Sequence, residues 1–174
     1  MNDAQLRALA PAPGQTPDFA ACLAAFPALE LAKVTPQDPR HHGEGDVWTH
    51  TRMVVEALLA LPEYQAARRA DQEIVFLAAL LHDIAKHGTT VIDPVSGAIS
   101  QPGHSARGAI DARIALWDAG VPFAIREAVC RLIAVHQVPF FALSGSRRGK
   151  SVEFIVRELS KRGTGQTLYI LDEP

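Results

Sequence analysis

Apolar residues recur at helical spacing through most of the chain, and this period predicts four main helices. Asp46 is placed to cap the first, which runs to about Leu61 and stops at Pro62, with Val47, Val54, Ala57, Leu58 and Leu61 on one stripe. His50 falls on that same stripe. The second, about Glu73 to Lys86, is apolar nearly all round (IVFLAALL), as a central buried helix should be. His82 and Asp83 stand at its C-terminal end, before the stop signal of Gly88. The third runs from near His104 to Gly120, with Ala106, Ile110, Arg113, Ile114 and Trp117 on one side. The fourth opens with Pro122 in its first turn and carries Ile125, Val129, Leu132 and Ile133, with His136 at the next step of the stripe.

The segments between and around these helices are of a different kind. Residues 1–18 carry Pro11, Pro13, Gly14 and Pro17 without an apolar period and read as a loose lead-in. A short helix is expected over Phe19 to Phe26, and TPQDPRHHGEGD must be a loop. Residues 87–103, with Pro94, Gly97 and Pro102, suit a small hairpin. A last helix is expected over Ser151 to Ser160, and the closing TLYILD is β-branched and aromatic, hence strand-like. The expected fold is all-α: one helical domain over 19–160, with an atypical tail over 161–174.

Composition narrows the classes. The 174 residues are 48% hydrophobic, enough for one sizeable core. A formal charge of -2 gives no strong DNA-binding signal. No apolar run approaches the roughly 18 residues of a membrane span, and the N-terminus lacks a signal-peptide pattern. Two cysteines, Cys22 and Cys130, read as reduced core residues. A soluble, cytoplasmic domain is expected.

Histidine changes this picture. Four of the seven (His50, His82, His104, His136), with Asp83, lie on core-facing stripes or at helix ends. One such histidine alone reads as a satisfied core residue. Four, with an adjacent carboxylate, would cost several kcal/mol to bury without a common partner. One or two divalent metal ions would remove that cost. Imidazole and carboxylate ligands without thiolate suit Mn, Fe, Co, Ni or Zn, and Mg remains open.

The pattern H…HD…H…H (His50, His82-Asp83, His104, His136) resembles the HD superfamily of metal-dependent phosphohydrolases. PQDPRHHGEGDVWTHT together with LLHDIAKHGTT is more closely similar to the HD domain of bacterial CCA-adding tRNA nucleotidyltransferases, and to HD proteins fused to a P-loop kinase-like domain. The resemblance covers roughly Phe26 to Ser160. It implies an all-α domain that hydrolyses phosphomonoesters or phosphodiesters, often of nucleotides or phosphorylated RNA ends. By position, His50, His82 and Asp83 are implied as the core metal ligands, and His104 and His136 as completing a second position. Lys86 matches the HDxxK lysine and is implied as catalytic with Asp83, meeting substrate phosphate, while Arg107 is a second phosphate contact. The plain alternative for both cations is a solvated helix surface. His42 or Glu44 would be the general acid, or part of a solvated turn, and Asp111 would support the site from the third helix.

The family pattern normally closes with an Asp on a further helix. After His136 this chain offers only Asp172, within LYILDEP. GSRRGKS (145–151) is one residue short of a Walker A spacing and reads as a basic loop. ELSKRGTGQTLYILDEP resembles the Walker B segment of the DNA-damage-recognition ATPase of bacterial excision repair, with Asp172 and Glu173 at its acidic positions. No Walker A accompanies it, so a chimeric or truncated end is expected, or a chance strand-like tail. Two functions remain open: a metal-dependent phosphohydrolase, or a non-catalytic HD module of a larger RNA-processing or kinase-fused protein.

Overall fold

The computed structural model describes residues 1–138, together with Arg157 and Leu159. The basic loop at 145–151 and the tail with Asp172 lie outside the described residues. So does the predicted helix over 151–160, apart from those two positions.

Helical structure begins earlier than the apolar period suggested. In α1 (Asp3–Leu9), Asn2 and Gln5 exchange side-chain and backbone hydrogen bonds in a capping box. Leu6, Leu9 and Ala10 are buried. The Arg69 guanidinium donates to the backbone carbonyls of Arg7, Ala10 and Pro11, fastening this segment to the domain. The stretch read as a loose lead-in therefore contributes to the core. Two leucines in one short turn are too few to show a period.

Asp18 caps α2 (Phe19–Ala25), and a 3₁₀ segment (Pro27–Val34) follows. Asp46 caps α3 (Val47–Ala60) as expected, its Oδ1 accepting from the Thr49 backbone at 2.7 Å. Pro62 opens α4 (Pro62–Ala66). The central helix, α5 (Arg69–Leu81), starts earlier and stops earlier than its sequence pattern suggested. Residues 82–85 instead form tight turns, with Ile84 N donating to Leu81 O and Lys86 N to Asp83 O. Then come α6 (Lys86–Thr89) and the predicted hairpin, β1 (Val91–Ile92) antiparallel to β2 (Ile99–Ser100). The described chain closes with α7 (His104–Asp118) and α8 (Phe123–Val135). The fold is all-α but for this small hairpin, and no described helix is long and apolar enough to cross a membrane.

Helix α5 packs between α3 and α8, and α7 lies along α8. Phe76, Leu77, Leu80 and Leu81 are fully buried against Val47, Val55, Val129 and Ile133. Each such side chain contributes about 1.5–3 kcal/mol of hydrophobic stabilisation. Cys22 and Cys130 are free and buried, and burial pushes the Cys22 thiol up to about 12.

Two stripes differ from their sequence reading. On α3 the buried side chains are Val47, Trp48, Thr51 and Val55, while Ala57 and Leu61 are exposed. Val54, Ala57, Leu58 and Leu61 instead line an apolar groove that Leu159 also lines. On α7 the buried face is Gly108, Ala109, Ala112 and Leu116, and the bulkier Ile110, Ile114 and Trp117 are exposed. The reason is distance. A Cβ on Gly108 would lie 3.3 Å from the His82 carbonyl oxygen and 3.3 Å from Ile133 Cγ2, so α7 meets its neighbours through small residues. Trp117 lies outside instead, with the Arg126 guanidinium 4.6 Å from its ring centroid.

Glycine inside a helix costs about 1 kcal/mol relative to alanine, a cost that close approach offsets here. Gly108→Val should destabilise the domain by about 1–3 kcal/mol through overpacking. It should also displace His82, so thermal unfolding and divalent-metal titration of this variant should both show losses.

Candidate metal centre

The four inward histidines all come from the ends or first turns of helices. His50 sits in the first turn of α3, His82 caps the C-terminus of α5, His104 opens α7 and His136 caps the C-terminus of α8. Packing of α3, α7 and α8 around the end of α5 brings them to Asp83, whose carboxylate is almost wholly buried.

The Nε2 atoms face that carboxylate from two sides. His82 and His50 lie 3.0 and 3.8 Å from Oδ2, and His104 and His136 lie 3.3 and 3.8 Å from Oδ1. The Nδ1 atoms are held elsewhere. Those of His82, His104 and His136 meet the carbonyl oxygens of Ala79, Gln101 and Ile133 at 2.8, 2.7 and 2.8 Å. That of His50 meets Glu44 Oε1 at 2.7 Å. Carbonyl and carboxylate oxygens only accept, so in a neutral ring Nδ1 carries the proton and Nε2 presents a lone pair. Burial holds His50, His104 and His136 below the ordinary imidazole range, His136 at about 4, which keeps them neutral near pH 7.

The lone pairs of His50, His104 and His136 therefore point at an anion, and two of them at each other. His104 and His136 Nε2 are only 3.3 Å apart. Among the described residues neither Asp83 oxygen receives a well-directed hydrogen bond, although the Lys86 ammonium lies 2.8 Å from Oδ2. Burial works to protonate Asp83, but its interactions with His82 and Lys86 outweigh this and hold the carboxyl below the usual carboxylate range. Such an arrangement fits divalent cations. His50, His82 and Asp83 form one candidate ligand set, and Asp83, His104 and His136 a second, the donor atoms of each lying within 4.8 Å of one another. The Asp83 carboxylate belongs to both sets.

A cavity of about 520 Å³ opens onto this cluster. His41, His42, Ile99, Gln101 and Gln137 contribute to its walls. The loop between the 3₁₀ segment and α3 is tied down on both sides: Val47 N donates to Thr35 O, and the Asp38 carboxylate accepts from Arg40 and from Ile99 N of β2. It thereby sets His42 and Glu44 beside His50.

Lys86 borders the cavity with its ammonium already engaged, 2.8 Å from Asp83 Oδ2 and 2.6 Å from Gln37 Oε1. Arg107 and Asp111 are not brought to the centre. They pair with each other at 2.8 Å and line a separate cavity with Phe26, Ile84 and Ala115. Asp172 lies outside the described residues. Sequence reasoning missed Gln37, Gln101 and Gln137, because a lone glutamine carries no motif.

This all-α fold gathers four imidazoles on a His-Asp pair, a donor set suited to a divalent metal. The HD domain family model matches residues 47–164, and the chain belongs to that family. It is similar to multifunctional CCA proteins: 32% identical over 128 residues to that of Halorhodospira halophila, and 34% over 120 residues to that of Thioalkalivibrio sulfidiphilus. These matches take in 74% and 68% of this chain but 28% and 26% of the relatives, so the chain spans about a quarter of their length. A third such protein, from Methylococcus capsulatus, is 41% identical over 61 residues, 35% of this chain and 12% of its own. No solved structure matches the chain.

Metal content should follow the ligand sets. Elemental analysis after loading with Mn²⁺ or Ni²⁺ should find that Asp83→Ala abolishes binding, because both sets use its carboxylate. His104→Ala and His136→Ala should lower the stoichiometry while leaving the His50 position filled. Equal metal content in Asp83→Ala and wild type would refute this assignment.

Proposed function

We propose that the chain is a metal-dependent phosphohydrolase acting on phosphomonoesters or phosphodiesters of nucleotides or phosphorylated RNA ends. The observation that carries this reading is the convergence of four imidazole Nε2 atoms on the two oxygens of one buried carboxylate. His50, His82 and Asp83 would hold one divalent ion, and Asp83, His104 and His136 a second. When bound, such an ion supplies Lewis acidity, polarising a phosphoryl oxygen and lowering the pKa of water toward neutrality.

The protein's own groups prepare the cavity for that chemistry. Lys86 sits on its wall, paired with Asp83 and Gln37, where it would meet a substrate phosphate. The cavity volume is in the range of small-ligand sites, which suits a single nucleotide or the end of a strand. The likeness to multifunctional CCA proteins supports a nucleotide or RNA-end phosphate over other phosphoesters. A non-catalytic module of a larger protein is the second reading, favoured by the quarter of the relatives' length that the chain spans.

A panel of phosphomonoesters and cyclic nucleotides, assayed with Mn²⁺, Ni²⁺ and Mg²⁺, separates the two. Hydrolysis of at least one substrate is expected, with Asp83→Ala lowering kcat/KM by about 100-fold or more, as loss of a main electrostatic element does. Metal binding without hydrolysis of any substrate would leave the module reading. Activity unchanged in Asp83→Ala would remove the enzyme reading.

A further inference from the structure

The ligand histidines are oriented by two different devices. His82, His104 and His136 each place Nδ1 against the carbonyl three residues earlier, which works because each stands at a helix end. His50 stands inside the first turn of α3, where its own N–H already closes onto Asp46 O. Its ring takes an acceptor from outside the helix, and that acceptor is Glu44.

Glu44 does more than meet one ring. The same oxygen, Oε1, lies 2.7 Å from His50 Nδ1 and 2.9 Å from His42 Nδ1. The two rings meet edge to face, with centroids 4.9 Å apart. Gly45 makes this possible: at φ +107 it turns the chain directly after Glu44, and its N–H closes the turn onto His42 O. Burial works against charge on Glu44, but its own backbone N–H and the two imidazoles outweigh it and take the carboxyl down to about 2.

These three side chains also stand close enough to hold a cation, with one donor atom each within 4.8 Å. A neutral imidazole has a single lone pair, however. Using the His50 Nδ1 lone pair for a cation there would place the proton on Nε2, facing Asp83, and remove His50 from the main centre. Protons on both Nδ1 atoms, shared by one anionic oxygen, are compatible with everything else around them.

We propose that Glu44 is a positioning residue for the metal centre: one carboxylate oxygen, held between the Nδ1–H groups of His42 and His50, fixes the His50 tautomer and ring plane so that its Nε2 lone pair faces Asp83. His42 is the second arm of the clamp and keeps the carboxylate from turning to solvent. An anionic partner also makes His50 a stronger donor than the three rings held by neutral carbonyls. The proposal rests on the reading that the centre binds a divalent metal, and it concerns how one ligand is prepared before metal arrives.

The test uses the full chain and its Glu44→Gln, Glu44→Ala and His42→Ala variants, with Ni²⁺ as the probe. Imidazole ¹⁵N spectra of the metal-free proteins should show His50 as the Nδ1–H tautomer in wild type and mixed with Nε2–H in Glu44→Ala. The tautomers of His82, His104 and His136 should be unchanged throughout, a selectivity that a general loss of structure would not produce. Ni²⁺ affinity should fall by about 10–100-fold in Glu44→Ala, the usual effect of losing a ligand's supporting partner. Glu44→Gln keeps an acceptor oxygen and the volume but not the charge, and should retain the tautomer with a smaller loss, about threefold or more. His42→Ala should fall between wild type and Glu44→Ala.

Wild-type Ni²⁺ affinity in Glu44→Gln, whether or not Glu44→Ala folds, would overturn the clamp, as would an unchanged His50 tautomer in Glu44→Ala. Three ions per wild-type chain, with one lost in Glu44→Ala, would replace it by a third cation site. If wild type binds no Ni²⁺, the functional reading above fails, and the tautomer comparison still decides the clamp.

Discussion

A buried carboxylate surrounded by lone pairs is the constraint on which this domain turns. Asp83 is nearly inaccessible, its oxygens receive no directed hydrogen bond among the described residues, and four imidazole Nε2 atoms face it within 3.8 Å. Burying a charge costs several kcal/mol even after the surroundings relax. Lys86 supplies one compensating charge on the Oδ2 side. Among the described residues, Oδ1 meets His104 and His136 alone, whose Nε2 atoms also crowd one another. Such an arrangement is costly in itself and becomes favourable when a divalent cation is shared among its members.

The fold is arranged to hold that arrangement open. Ligands come from helix ends, where backbone carbonyls outside the regular ladder are available to bind Nδ1 and turn each ring inward. The α5 pattern gives way to tight turns at Leu81, and His82 and Asp83 project from the break. Close approach of α7 at Gly108 then links helix packing to the His82 backbone directly. Stability and site geometry share the same contacts, so the core around Ile133 and Leu116 is also the frame of the site.

Much of this was legible in the sequence where chemistry repeats. The five metal-ligand candidates, the Asp46 cap, the hairpin and the all-α class follow from spacing and residue type, and the HD pattern strengthens the ligand set. Less legible were features that depend on distance across the fold. Ile110, Ile114 and Trp117 look like the buried face of α7 because they are large, yet small residues win wherever two helices must come close. Arg107 is one turn from a ligand histidine, but pairing with Asp111 takes it to another cavity. Glu44 reads from the sequence as a general acid or as part of a solvated turn, and only the fold shows its place between two imidazoles.

The sequence by itself determined which groups are available: four histidines and an aspartate at helix-end positions, a glycine-rich loop before α3, and no competing thiolate pair. Spacing along a helix dictates which face a side chain leaves from, and that much is local. The tertiary structure alone decided which carboxylate the rings face together, which cation is already engaged, and which oxygen is shared. Those outcomes depend on partners far apart in sequence, such as Gln37 on Lys86, 49 residues away. Nearby acceptors turn each ring, but only the packing of the helices sets four rings on one carboxylate.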